Sequence, residues 1–378
     1  HVQETLIPMH LCLFISGLKG GGAERVATTL ARAWATNPQI SRISLVTCTT
    51  SGEPPEPLPS SINLRHLPLS RQSGNLIEAI GANFLRFRLL RGVLRDLKPD
   101  AAIAFMDEMA VLVTLAAIGT NTPVITALRT DPAQPNLQKI WRRLRVPVYR
   151  FLSDAVVVQT KAGLAQATKL FHGAKLCAIG NPLPELPDVR DWSKRERLIA
   201  SAGRLIPSKG FDMLIEAFAH SRWREGGWRL RIHGEGPERL RLERLVVELG
   251  LQGVVDMPGF SKDVLERLSE ATVFAFASRR EGFPNALLEA AALGCACVST
   301  DCNTGPREIL DHGRLGLLVP VDDRPAMTDA LNRLMDEDAL RAELAGHWSE
   351  FRIHHDTATV AQRWIDLVAA LTKPIERL

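Results

Sequence analysis

The sequence predicts an α/β protein of two domains, each a doubly wound parallel sheet. Three observations carry this. Short apolar runs alternate with amphipathic helical stretches through the first half of the chain. A proline-dense break, Ile179–Val189 (IGNPLPELPDV), follows the last of them. The same alternation then restarts. Strands alternating with helices need crossover connections, which give a parallel sheet covered on both faces. At 378 residues the chain exceeds what one core ordinarily serves, and its 46% apolar content is enough for two. The expected division is 1–180 for a first domain, 181–196 for a linker, 197–355 for a second domain and 356–378 for a terminal helix.

In order, His10–Ser16 reads as a strand and Ala23–Ala35 as a helix. Arg42–Thr47 is a second strand and, past the proline-rich Glu53–Pro59, Ile62–Leu67 a third. Asn83–Leu97 has helical spacing. Phe84, Phe87, Leu90, Leu94 and Leu97 take one face, while Arg88, Arg91, Arg95 and Lys98 recur at helical steps on another. Ala101–Phe105 is a strand, Val111–Ile118 a helix, and Val124–Leu128 and Ala155–Gln159 are strands. In the second half Arg197–Ser201, Trp228–His233, Val254–Met257, Val273–Ala277 and Ala296–Thr300 read as strands. Met213–His220, Glu238–Leu249, Lys262–Glu270 and Pro284–Leu293 are the helices. Proline suits a first helical position, where its missing N–H would be unpaired anyway, so Pro284 should open its helix. Asp356–Leu371 repeats Val360, Trp364, Leu367, Val368 and Leu371 at helical spacing. That helix either closes the second domain or crosses back to the first.

The formal net charge of +4 is too small to imply a polyanionic partner, and no nucleic-acid module is recognisable. The six cysteines form no CxxC pair and have no histidines at zinc spacing, so buried, reduced thiols in a cytoplasmic protein are expected. No apolar run reaches the ~20 residues that cross a bilayer. Nor is a secretory signal recognisable.

The first strand runs into Gly17–Glu24 (GLKGGGAE). A P-loop needs GxxxxGK[ST], but Ala23 stands where the lysine belongs and Glu24 where the Ser/Thr does. A dinucleotide fingerprint from Gly20 and Gly22 would need glycine where Arg25 stands, and the second strand ends without an acid. What survives is a glycine loop beside something polar, or a tight turn only. The second half opens with Ala202–Phe211 (AGRLIPSKGF), which puts Arg204 and Lys209 at a strand's carboxyl end. Two cations there can neutralise a diphosphate. The helix after Val273–Ala277 offers its N-terminal amides to the same ligand. Glu281 on the loop and Glu289 in the helix could accept hydrogen bonds from sugar or ribose hydroxyls, or simply suit the helix dipole.

Glu281 and Glu289, with seven residues between them, resemble the E-x7-E signature of retaining glycosyltransferases of the GT-B fold, family 4. GGAERV (Gly21–Val26), GRLIPSKGF (Gly203–Phe211), HGEGPERLRLE (His233–Glu243) and PGF (Pro258–Phe260) resemble that family in the same order. So do Gly282–Asp301 and Thr304–Pro320. The nearest pattern is that of bacterial enzymes extending lipid-linked oligosaccharides or surface polysaccharides. The resemblance implies two Rossmann-like domains facing across a cleft, and transfer of a hexose or HexNAc from a nucleotide sugar, UDP before GDP, to a lipid-linked saccharide. It also implies a donor site in which Arg204 and Lys209 hold the diphosphate and Glu281 orients the sugar. Gly21 and Gly22 would approach the donor, and Phe260 would lie near the base. Gly282, Phe283, Pro284, Asn285 and Ala286 would line the phosphates, and Glu289 would hold the ribose. No metal and no cofactor is implied. A nucleotide-sugar hydrolase or epimerase of the same fold, or an inactive scaffold, would share these features.

The resemblance departs at Thr126–Pro132 (TALRTDP), where many relatives carry a histidine and related bacterial enzymes a Glu-Arg-Asn-Asp-Pro-like string. Arg129, Asp131 and Pro132 remain, so Arg129 and Asp131 are candidate acceptor contacts, with Asp107 beside them. Lys139–Arg150 (KIWRRLRVPVYR) has five cations and no acid. With Trp141 and Tyr149 among them, Arg142, Arg143 and Arg145 are candidates for a lipid pyrophosphate or an anionic membrane surface. A solvated basic face is the alternative. Such an acceptor would put the protein on the inner face of the plasma membrane.

Overall fold

A computed structural model describes residues 8–18, 21–49, 54, 57–67, 76–133, 137–188 and 194–372. The chain divides into two units, His1–Pro182 with Asp356–Leu378, and Leu183–His355.

In the first unit β1 (Met9–Ile15), β2 (Ile40–Thr47), β3 (Ile62–His66), β4 (Ala101–Phe105), β5 (Val124–Ala127), β6 (Ala155–Val158) and β7 (Leu176–Ala178) form one parallel sheet. Its order is β3-β2-β1-β4-β5-β6-β7. Strands covered on both faces read as unbroken apolar runs, and β1 is buried at every position. Its residues alternate between two cores. Leu11, Leu13 and Ile15 face one core with residues of α1 (Gly22–Ala35), while Cys12 and Phe14 face the other. That second core is filled by α2 (Leu76–Leu97), α3 (Asp107–Ala117), α4 (Lys139–Phe151) and α5 (Lys161–Leu170).

In the second unit β8 (Glu196–Ala202), β9 (Arg229–His233), β10 (Val255–Gly259), β11 (Ala271–Phe276), β12 (Ala296–Thr300) and β13 (Gly316–Val319) form a parallel sheet of order β10-β9-β8-β11-β12-β13. One face carries α6 (Phe211–Ala219), α8 (Arg239–Glu248) and α12 (Arg324–Asp336), with the short α7 (Trp223–Gly226) before β9. The other carries α9 (Val264–Ser269), α10 (Asn285–Ala292), α11 (Pro306–Ile309) and α14 (Trp348–Arg352). The helix α13 (Asp338–Gly346) follows α12.

The last helix, α15 (Thr357–Thr372), belongs to the first unit. Trp34 Nε1 donates to the Ala361 carbonyl at 3.1 Å, and Trp364 stacks on Phe105 with ring centroids 6.4 Å apart.

Two readings change, and one element is new. Residues 183–188 pack as part of the second unit rather than as linker: Leu183 is buried in its core and its N–H donates to the His355 carbonyl at 2.8 Å. Pro284 caps α10 with a non-helical ψ of 84° instead of opening the helix, because the Asn285 N–H turns back to the Phe283 carbonyl at 3.1 Å. Lys139–Phe151 is a full helix. Its inner face, Trp141, Arg145, Val148 and Tyr149, has a charge in an apolar stripe, which hides the period. Gly20 lies outside the described residues.

Candidate active site

The carboxyl edge of the second sheet gathers two loops. The first leaves β8 and makes a 3-10 turn at Pro207–Lys209, closed by Gly210 in the left-handed region (φ 64°). A Cβ at Gly210 would stand 2.1 Å from the Ala277 carbonyl oxygen, so only glycine lets this turn lie across the end of β11. The second loop, 278–284, is stitched to it. Arg279 N–H donates to the Ser208 carbonyl at 2.8 Å, and Ser278 Oγ lies 3.0 Å from the same carbonyl. The Arg279 guanidinium reaches Asp212 of α6 at 3.0 Å and Asp322 at 2.6 Å. Burial works against the charge on Asp212, yet hydrogen bonds from Arg279 and Arg241 hold its carboxyl below the usual range.

These contacts fix Lys209 and Glu281 against each other. Lys209 Nζ is 2.5 Å from Glu281 Oε1, which also accepts from Ser278 Oγ at 2.6 Å. The ammonium lies 5.6 Å from the Phe276 ring centroid. Thr304 Oγ1 donates to the Glu281 carbonyl. A Cβ at Gly305 (φ 101°) would meet Pro284 Cδ at 2.3 Å, so this glycine lets the 304–305 loop close on the start of α10. Arg204 is exposed, and its guanidinium makes no hydrogen bond or ion pair among the described residues. Glu289 is buried one turn into α10. Gly282, Asn285 and Ala286 are half-buried, Phe283 and Pro284 buried, and Phe260 is 69% exposed at the end of β10. The edge therefore holds a paired ammonium and carboxylate, a free guanidinium and a helix N-terminus. Such a set can hold a diphosphate and accept from hydroxyls attached to it.

In the first unit, Arg129 and Asp131 follow β5. The Arg129 guanidinium lies 4.8 Å from the Phe105 ring centroid and 5.5 Å from that of Trp364. Nη1 donates to Asn181 Oδ1 at 2.8 Å, while Nε and Nη2 are buried without a partner. Burial pushes its pKa down to about 9. Asp131 accepts from the Ala133 N–H at 2.9 Å through Oδ1, and its buried Oδ2 has no partner. Gly21 caps α1, its N–H donating to Glu24 Oε2 at 2.7 Å, and Gly22 is the first helical residue.

Residues 184–349, which hold both loops of the second unit, match the sequence profile of the glycosyl transferases group 1. The second unit carries this family's profile. The chain is 28% identical over 364 residues to an α-1,4-N-acetyl-D-galactosaminyltransferase of Campylobacter jejuni, covering 96% of this chain and 98% of that protein. The acceptor named for that relative is a GalNAc-containing diNAcBac-PP-undecaprenol. The chain is 37% identical over 295 residues to an exopolysaccharide phosphotransferase of Streptomyces coelicolor, and covers 74% of this chain but only 30% of that longer protein. Among solved structures, S. aureus TarM with UDP has a TM-score of 0.79 at 13% identity, covering 95% of this chain and 99% of the other. Anabaena HepE with UDP and glucose has a TM-score of 0.78 at 17% identity, covering 96% and 100%. These likenesses establish the GT-B fold.

The glycosyltransferase brings Arg204, Lys209, Glu281, Glu289 and the 282–286 segment to one edge of one sheet. It alters other expectations. The Asn285 amide is spent on the Phe283 carbonyl, which leaves Ala286 as the helical amide of the set without such a bond. Arg145 is 3% exposed and paired with Asp107 at 3.0 Å, so neither can meet a membrane or stand free for an acceptor. Trp141 and Tyr149 lie in the core. Arg91 donates to the carbonyls of Ala116 and Ile118 at the end of α3, at 2.9 and 2.6 Å, and so leaves the basic face of α2. Ser278, Arg279, Thr304 and Asp322 were not singled out from sequence, since hydroxyls and ion pairs that stitch loops leave no spacing to read. Asp323, the other acid beside Asp322, caps α12 by accepting from Ala326 N–H at 2.9 Å. Among the described residues no cluster of three metal-ligating side chains is present.

Proposed function

We propose that this glycosyltransferase moves a hexose or N-acetylhexosamine from a UDP-sugar to a lipid-linked saccharide, with retention and without a metal, in bacterial polysaccharide or lipid-linked oligosaccharide assembly. The observation that carries the reading is the Lys209–Glu281–Ser278 arrangement beside the α10 N-terminus. Lys209 and Arg204 neutralise the charge that grows on the leaving diphosphate, the work a divalent ion would otherwise do. Glu281 accepts from donor-sugar hydroxyls and Glu289 from the ribose. The Campylobacter relative's undecaprenol-linked acceptor and the UDP in the TarM and HepE structures support the choice of substrates.

A thermal-shift panel of UDP, GDP and ADP tests the donor. A nucleotide present at ~100 times its Kd should stabilise the protein by roughly 2.7 kcal/mol, UDP before the others. If none of the three moves the transition, the donor reading is wrong. UDP release from donor alone, undiminished by any saccharide, would instead mark a hydrolase.

A membrane surface fits α4. Ile140, Leu144 and Phe151 are exposed along one stripe, with Arg142, Arg143 and Arg150 exposed among them. Apolar groups between cations suit an anionic interface. Each such cation contributes about 1 kcal/mol, so Arg142→Glu with Arg143→Glu should weaken binding to anionic vesicles by at least tenfold. Vesicle co-sedimentation reads this, and unchanged binding leaves a solvated basic face. No helix among the described residues is long and apolar enough to cross a membrane.

A further inference from the structure

Ser278 follows β11 at the carboxyl edge of the second sheet and is fully buried. Its carbonyl accepts from Thr300 Oγ1 of β12 at 2.6 Å, which ties the residue to the end of the neighbouring strand. Its hydroxyl has one hydrogen and three oxygens in reach: Glu281 Oε1 at 2.6 Å, the Ser208 carbonyl at 3.0 Å and the Arg280 carbonyl at 3.3 Å. The carboxylate is the nearest of the three and the only one charged, and its distance is the ordinary length of a hydroxyl bond to an anion. The Ser208 carbonyl is already served by the Arg279 N–H at 2.8 Å. The hydrogen therefore goes to Glu281.

The two oxygens of Glu281 are then unequal. Oε1 takes both donors, Lys209 at 2.5 Å and Ser278 at 2.6 Å. Oε2 makes no hydrogen bond among the described residues and is not one of the sealed, unpartnered atoms. The side chain keeps 10% of its surface open, so Oε2 is the oxygen left to a ligand. Lys209 alone does not fix that arrangement. An ammonium is a compact charge on a flexible stem and can follow a carboxylate as it rotates. Ser278 has a single side-chain torsion to a heavy atom and is packed on every side, so it holds Oε1 from a second, rigid direction. The main chain of Glu281 has its own anchor, Thr304 Oγ1 on the Glu281 carbonyl. Removing the Ser278 hydroxyl thus frees the carboxylate without freeing the loop.

We propose that Ser278 is a positioning residue for the transfer: its hydroxyl holds Glu281 with Oε1 turned to Lys209 and Oε2 turned to the donor sugar. Ser278 touches no substrate itself. This rests on the reading of Glu281 as the group that orients that sugar, and adds what sets its aim.

The test is a double-mutant cycle on Ser278→Ala and Glu281→Ala. Turnover is read as UDP release from UDP-N-acetylgalactosamine and UDP-glucose with an aryl N-acetylgalactosaminide as saccharide, at excess enzyme so that slow variants still register. Calorimetry reads UDP binding alongside. Ser278→Ala should lower kcat about ten- to a hundredfold, the range from one lost hydrogen bond to a misplaced reacting group, and leave UDP affinity unchanged. In the Glu281→Ala background the same change should cost almost nothing, because the group it aims is gone. An equal loss in both backgrounds overturns the assignment, and so does UDP affinity that falls with turnover, since Ser278 would then only support the loops. Full activity in Ser278→Ala beside an impaired Glu281→Ala overturns it as well and leaves the donor site standing. A Glu281→Ala enzyme as active as the wild type, or a wild type that releases UDP from neither sugar, removes the reading of Glu281 itself and this inference with it.

Discussion

Lys209→Ala is expected to lower kcat/KM by about 10²–10³, the usual effect of removing one preorganised group that stabilises developing charge. The Gly210 turn carries the ammonium to 2.5 Å from Glu281 and over the Phe276 ring. Preorganisation of this kind matters more than charge alone, so Lys209→Arg should not recover the rate. A planar guanidinium is wider and does not fit an ammonium's place between Glu281 and Phe276. Glu281→Gln should behave differently. It removes a carboxylate that competes for Lys209 before substrate arrives, so UDP affinity should hold or tighten while turnover falls. Glu289→Ala should show the converse, weakening UDP itself. Steady-state kinetics with calorimetric UDP binding separates the two. The opposite pattern, with Glu281 governing UDP affinity and Glu289 only turnover, would sink the assignment of roles.

Asp107→Ala is expected to destabilise the first unit by about 3–5 kcal/mol, because it leaves Arg145 charged and buried without its partner. Asp107 Oδ1 accepts from Arg145 at 3.0 Å and from Tyr149 Oη at 3.1 Å. Both partners come from α4, and Arg145 Nη2 also donates to the Pro132 carbonyl at 2.7 Å. The cluster thus fixes α4 and the loop after Asp131 to the start of α3. Replacing both charges together, Asp107→Leu with Arg145→Met, should cost much less than either single change, since no buried charge is then orphaned. Urea unfolding measures this. If the single and double variants lose stability equally, the pair is not the determinant.

The sheets were legible in the sequence because central parallel strands are apolar on both sides, and β1, β4 and β11 read as unbroken runs. The two loops at the carboxyl edge of the second sheet were legible because their polar groups lie in local strings, Arg204 to Gly210 and Glu281 to Glu289. Long-range contacts were not. Whether Arg145 faces solvent or core depends on Asp107, 38 residues away, and a cation-rich segment carries no mark of which cation turns inward. Four of its five cations, Lys139, Arg142, Arg143 and Arg150, point outward beside the exposed Ile140, Leu144 and Phe151, while Trp141 and Tyr149 are buried.

Because α15 belongs to the first unit, that unit is built from two separated stretches of chain, with all of Leu183–His355 between them. During synthesis the second unit is complete in sequence before the helix that covers Trp34 and Phe105 has been made. The first sheet must therefore wait, with part of its apolar surface open, while the second unit folds as a contiguous piece. Order of synthesis then makes the first unit the later to be completed.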